Sequence, residues 1–392
     1  MARLVRTAKA AAATATGTSR MAQSLMQRWF PNTSHPLIVS APMDFVSNVR
    51  LATEVTRTGG LGFIQGGRDF KPGSAVVTKT LDEQLSTAQK LLGELHNRDR
   101  CSTSTLPLGV GFVTYDASAL EHFNDTTLPI LVRHRPGVVW LFAPSPERPD
   151  TIRKIIEGLR QAASSAESEA WDLHIAVQVG TVEAARKAVE DGADIIVAQG
   201  IDAGGHQFAS GAGIVSLVPE IADMLASSEV ECSGNGSGKR EIALWAAGGI
   251  ADGRGVAAAL ALGADAAVLG TRYMVATESD AQDYKRQAIL STSDGGQNTV
   301  KSYIHDHVQG NHSWPGVYDG RAVVHPSYID HVGGLSLEEN KALFKSAKEQ
   351  GESSRMVTWS GTGVGLIKKE QPAGEITRDV REEAVKVMSR LK

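Results

Sequence analysis

From Pro36 onward, short runs rich in Val, Ile, Leu and Ala alternate with longer stretches whose apolar residues recur at helical spacing, the form that repeated βα units take in a sequence. Eight runs read as buried strands: 37–40, 61–65, 108–113, 138–142, 175–179, 195–199, 243–247 and 266–269. Between them, Thr181 is an N-cap for a helix that reaches Val189 and stops at Asp191 and Gly192, and an alanine-rich helix over 255–262 ends at Gly263. Spacings of 20 positions from Ile175 to Ile195 and 23 from Ala243 to Ala266 fit a minimal βα repeat. Longer intervals hold extra loops, among them the glycine- and serine-rich run at 232–238, which reads as flexible.

An open doubly wound sheet uses the same units, but eight in series without a dinucleotide fingerprint favour closure. The expected fold is therefore α/β, a (β/α)8 TIM barrel over 31–275. After Thr271 the alternation stops. The polar, histidine-rich and partly helical segment 276–354 reads as an inserted, mainly helical substrate or cap domain. Residues 355–392, with a helix over 375–391, return the chain to the barrel.

Composition narrows the chemistry. Glycine makes up 40 of 392 residues, about one in ten against a usual share of about 7%, so backbone turns and close approaches are in demand. The formal charge of -4 gives no electrostatic case for nucleic acid or an acidic membrane as a partner. Cys101 and Cys232 alone cannot form a disulfide framework or a four-thiolate zinc site, which suits a reducing compartment. No apolar run approaches the roughly 20 residues that cross a bilayer. From Met1 to Met43 there is no acidic residue, while Arg3, Arg6, Lys9, Arg20 and Arg28 are basic. A leader over 1–30 is expected, either a transit peptide or a disordered tail, with an intracellular location that is mitochondrial or cytoplasmic.

In a parallel barrel, ligands gather on the loops after the strands. Those loops carry Ala41-Pro42-Met43, Gly66-Gly67, the run from Gln199 through Asp202 and Gly204 to His206, then Gly248-Gly249 and Gly270-Thr271. Glycine pairs after the last two strands suit a phosphate, because bare N–H groups can approach its oxygens, although tight turns alone also use such pairs. The Gly361-Thr362-Gly363-Val364-Gly365 run lacks the dinucleotide spacing and says only that backbone lies close to something.

His206 stands on a glycine-rich loop at a strand end, and an imidazole can take a proton at neutral pH. Asp202 either orients it or starts a turn. His305-Asp306-His307 with His312 invites a metal reading, but no closing ligand set is evident, and a polar loop near the pocket mouth is the preferred reading. No metal is expected. Ser210 and Ser360 lack a nucleophile-elbow setting.

Taken in order, Ala41-Pro42-Met43, Thr58-Gly59-Gly60-Leu61-Gly62, the 199–206 run, Ala246-Ala247-Gly248-Gly249-Ile250 and Leu269-Gly270-Thr271-Arg272-Tyr273 resemble the nitronate monooxygenase family, formerly 2-nitropropane dioxygenase. The resemblance implies an FMN-dependent barrel that converts alkyl nitronates, and in some members nitroalkanes, to carbonyl compounds and nitrite with O2. It places Pro42 and Met43 along the flavin ring and Gln199 and Gly204 in contact with the cofactor. Gly248, Gly249, Gly270 and Thr271 would hold the phosphate, and His206 would be the catalytic base. Two departures stand out: Asp202 replaces the family's commoner Glu, and the stretch 109–114 differs from the usual third-strand motif. Related barrels that act as NAD(P)H:quinone reductases or enoyl-thioester reductases share these residues, as would a flavin-binding protein without turnover. Oligomeric state and physiological substrate are left open.

Overall fold

The computed structural model describes residues 24–74, 80–96, 105–165, 170–227 and 240–391. Residues 1–23 of the expected leader, both cysteines and the 232–238 loop lie outside the described residues. The strands, numbered in chain order, are β1 (Leu37–Ser40), β2 (Phe63–Gly67), β3 (Leu106–Val113), β4 (Pro136–Phe142), β5 (His174–Val179), β6 (Ile195–Gln199), β7 (Gly205–Phe208), β8 (Ala243–Ala247), β9 (Ala266–Leu269), β10 (Thr299–Ser302) and β11 (Tyr318–Val323).

Eight of them form one parallel sheet in the order β1-β9-β8-β6-β5-β4-β3-β2. Its two ends meet: Leu61 bridges Val39, its N–H donating to Ile38 O at 2.9 Å and its carbonyl accepting from Ser40 N at 3.1 Å. The barrel is closed by this backbone bridge and by the Phe63 N–H, which donates to Ser40 Oγ at 3.1 Å. Sequence reading starts the second strand at Leu61, yet the continuous ladder begins at Phe63. At Gly62 the chain runs so close to the Ala52 carbonyl of the helix Val49–Arg57 that no side chain fits.

Burial on both faces explains why the strands read as unbroken apolar runs. Leu37, Val39, Val138, Trp140, Ile195, Val197, Ala243 and Trp245 fill the interior, while their neighbours Ile38, Val139, Leu141, Ile196, Leu244 and Ala246 meet the helices. Phe63, Trp140 and Trp245 pack edge to face at the centre. Gly109 is bare because the Phe63 ring occupies the place of its side chain.

The leader boundary expected at residue 30 moves towards the N-terminus. Ser24 caps the helix Leu25–Trp29 in a reciprocal box with Gln27, and Met26, 1% exposed, plugs the bottom of the barrel. Trp245 Nε1–H donates to the Met26 sulfur, and Trp29 stacks on His174 at 4.3 Å. Apolar residues at 25, 26, 29 and 30 are the helical spacing that drives this docking.

Beyond β9 the chain builds the helices Asp283–Ser291, Ile304–His307, Pro326–Val332 and Leu337–Glu349, and also a sheet that the sequence reading of a mainly helical segment did not contain. β10, β11 and β7 pair antiparallel, with Gly320 opposite His206. The inserted segment is thus stitched to the loop that follows β6. The helix Ala373–Arg390 then packs between Val49–Arg57 and Gly253–Ala261, in the outer place that a helix after the eighth barrel strand would take. Arg381 fastens it by donating to Thr58 O. Among the described residues no helix is long and apolar enough to cross a membrane.

Candidate active site

The strand ends open on a cavity of about 500 Å3 lined by Pro42, Met43, Gln199, Gly204, His206, Gly248, Gly249, Gly270 and Thr271, so all nine residues singled out from the sequence share one site. Each is held there by a local cause. Ser47 ties the loop after β1 by donating from its hydroxyl to Ala41 O and accepting the Met43 N–H. Pro42 then takes the space that the bare Cα of Gly111 leaves in β3.

At the other wall, Gly248 and Gly249 adopt φ of 109° and 74°, a region that L side chains rarely enter. A Cβ on Gly248 would also stand 2.7 Å from Gly200 O. The Gly361–Gly365 stretch completes this wall: a Cβ on Gly361 would fall 2.6 Å from Asp202 O, one on Gly363 2.6 Å from Gly249 O, and one on Gly204 2.5 Å from Gly361 N. Three glycine-bearing loops therefore touch backbone to backbone. Thr271 Oγ1 accepts the Gly361 N–H at 3.0 Å, so its hydroxyl holds the wall together. The amide N–H groups of Gly249, Gly270 and Thr271 have no acceptor among the described residues, which leaves donors for an anionic group. Gln199 donates from Nε2 to His206 O at 3.2 Å, while its buried Oε1 has no partner among the described residues.

His206 lies on β7 with its Nε2 2.8 Å from Asp306 Oδ2. Trp314 stacks flat on the ring at 3.7 Å and 9°, and Trp359 tilts against it at 4.7 Å. Asp202, for which the sequence left open a role orienting His206 or starting a turn, faces Thr362: its Oδ1 accepts from Thr362 Oγ1 at 3.0 Å, and its carbonyl accepts the Thr362 N–H. It braces the glycine wall.

The histidine cluster separates in space. His305 Nδ1 meets His325 Nε2 at 2.9 Å and its Nε2 faces Val300 O at 3.0 Å, Asp306 turns to His206, and His307 lies against His312 with 4.9 Å between ring centres. Burial pushes His305 down to about 4 and His325 to about 3. Asp306 lines the cavity, in keeping with the polar loop near the pocket mouth preferred from the sequence, but its bond to His206 was not foreseen, and Trp314 and Trp359 were passed over because nothing local marks an aromatic that meets a barrel loop from 100 residues or more away. At the mouth, burial raises the Asp44 carboxyl against the pull of Arg68, and burial lowers Lys285 against the pull of Asp44.

Residues 154–383 match the family described as nitronate monooxygenase. Over 374 residues the chain is 48% identical to the nitronate monooxygenase of Neurospora crassa, covering 93% of each protein. The chain belongs to the nitronate monooxygenase family. It is also 32% identical to the nitronate monooxygenase npaC of Metarhizium robertsii, over 92% of this chain and 94% of that one. Family membership makes it an oxidoreductase. The nitroalkane oxidase of Streptomyces ansochromogenes shares the fold, with a TM-score of 0.66 at 24% identity, covering 94% of this chain and 100% of the other. In this nitronate monooxygenase family member, the family match spans β5 to β11 and hence His206, Asp306 and the last two barrel strands.

Proposed function

We propose that the chain is an FMN-dependent monooxygenase that converts alkyl nitronates, and nitroalkanes that it first deprotonates, to carbonyl compounds and nitrite with O2. The observation that carries this reading is one cavity in which an imidazole, hydrogen-bonded to a buried carboxylate, shares space with a wall of bare glycine backbone. The wall suits an anion, since unpaired N–H groups and the absence of side chains let phosphate oxygens approach the main chain. Gly248, Gly249, Gly270 and Thr271 would hold the phosphate of FMN, Pro42 and Met43 would lie along its ring, and Gln199 Oε1 would accept from a ring N–H. When bound, FMN supplies the electron transfer from substrate to O2.

The chain's own work is positional. His206 takes the acidic α-proton of a nitroalkane, which leaves the nitronate in place; a preformed nitronate needs no base. Lys285 and Arg68 at the mouth favour entry of the anionic nitronate over its neutral parent. Trp140, Phe142 and Val268 give the cavity an apolar floor against which an alkyl chain can lie.

The test is an absorbance spectrum of the purified full-length chain, recorded before and after addition of propyl nitronate without oxygen. The expected result is a yellow protein whose visible absorbance is bleached by the nitronate and not by NADH, with nitrite released once air is admitted. Prompt bleaching by NADH alone would replace this reading with a reductase.

A further inference from the structure

We propose that Asp306 is a positioning residue that holds His206 as its Nε2–H tautomer and thereby makes Nδ1 the atom that receives the substrate proton; this rests on the base role proposed above. A carboxylate oxygen only accepts, so the proton shared across the 2.8 Å between Asp306 Oδ2 and His206 Nε2 belongs to the imidazole nitrogen. The opposite tautomer would set two lone pairs against each other in a site where the side chains are 16% and 8% exposed. Asp306 is itself fixed as an acceptor: Asn311 Nδ2 donates to its Oδ1 at 3.2 Å, and its carbonyl accepts from Gln309 N and Asn311 N at 3.0 Å each.

Ring orientation is fixed separately. The Trp314 indole, parallel at 3.7 Å, covers one face of the imidazole, and Trp359 closes on it at 4.7 Å. Trp359 reaches this position over Gly320, whose missing side chain makes the room. A half-turn of the ring would keep it flat on Trp314 but put a carbon where Nε2 stands, and so would lose the hydrogen bond to Asp306. His206 Nδ1 has no partner among the described residues, and His206 lines the cavity. The lone pair left for chemistry is therefore on Nδ1.

In the step itself the α C–H bond breaks, its electron pair stays on the substrate as the nitronate, and the proton bonds to Nδ1. The product imidazolium keeps its Nε2–H on Asp306. The titratable groups that face His206 are Asp306 from the helix Ile304–His307, Asp44 from the loop after β1, Asp319 from β11, and His305 beside Asp306. Asp306 alone among them is hydrogen-bonded to the ring.

The experiment is a long-range 1H–15N correlation spectrum of the full chain labelled at histidine, with the His206 signals assigned by their loss in His206→Gln. At neutral pH the expected pattern is a protonated Nε2 and an unprotonated Nδ1. In Asp306→Asn the pattern should shift towards the other tautomer. Turnover of a neutral nitroalkane should fall about 10²-fold, and the acid limb of its kcat/KM profile should move to lower pH, because loss of a neighbouring anion lowers the proton affinity of the ring. Turnover of the preformed nitronate should hold. A wild-type spectrum with the proton on Nδ1 would overturn the assignment, and it needs no variant that must fold. So would an Asp306→Asn chain with unchanged spectrum and unchanged nitroalkane turnover. The expected tautomer in a chain that cannot turn over nitroalkanes would instead overturn the base role and leave the Asp306 contact intact.

Discussion

Gly363 has an ordinary backbone conformation, and what forbids a side chain there is its neighbour: the Gly249 carbonyl stands 2.6 Å from where a Cβ would sit, with Ala251 behind it. A backbone carbonyl cannot give way as a side-chain tip can. Gly363→Ala should therefore push the 361–365 stretch off the loop after β8 and weaken FMN binding about tenfold, which is about 1.4 kcal/mol. A fluorescence titration of the apoprotein checks this, and an unchanged Kd would remove this stretch from the cofactor wall. The same residue shows the limit of reading single positions. Gly248 and Gly249 follow a recognisable strand, so their place at the ligand end was legible. Gly363 follows no strand, and only the fold sets it against Gly249. Asp306 was hidden for a related reason: its partner is 100 positions away, while His305 and His307 beside it suggest metal chemistry.

The helix that carries Asp306 is only four residues long and depends on its surroundings for its place. Part of that support is the buried pair His305 and His325, which burial holds near 4 and 3 against an ordinary value of 6.5. Both rings are neutral in the fold, and the unfolded chain takes up protons first as pH falls. Stability from this pair is fully present above pH 6.5 and is lost progressively as pH drops towards about 4. The midpoint of urea unfolding should fall across that window, and His325→Gln, which cannot charge, should flatten the fall. An equal pH dependence in both chains would show that the pair contributes nothing. Elements with strong local signals were read well. β6, β8 and β9 coincide with their expected bounds because parallel strands buried on both faces are continuous apolar runs. β10 and β11 were not seen, since they are short and polar at several positions, and are stabilised by pairing, β11 with β7 about 110 residues away and β10 with β11, rather than by their own composition.

In the molecule as a whole, the barrel loops and the 361–365 stretch of the returning segment supply the glycine wall, while Asp306 and Trp314 of the inserted segment and Trp359 of the return surround the imidazole. β7 joins barrel and insertion, because it leaves the barrel through the loop after β6 and pairs with β11 of the insertion. The point after β9 where the alternation of strands and helices stops was readable in the sequence. The docking of the insertion onto β7 was not, because a register between segments so far apart leaves no periodic trace in either. The decisive measurement is steady-state turnover of His206→Asn on a nitroalkane and on its preformed nitronate, side by side with the parent chain. A loss on the neutral nitroalkane far greater than the loss on the nitronate is the result this account requires. An equal loss on both would mean that His206 holds substrate or cofactor and takes no proton.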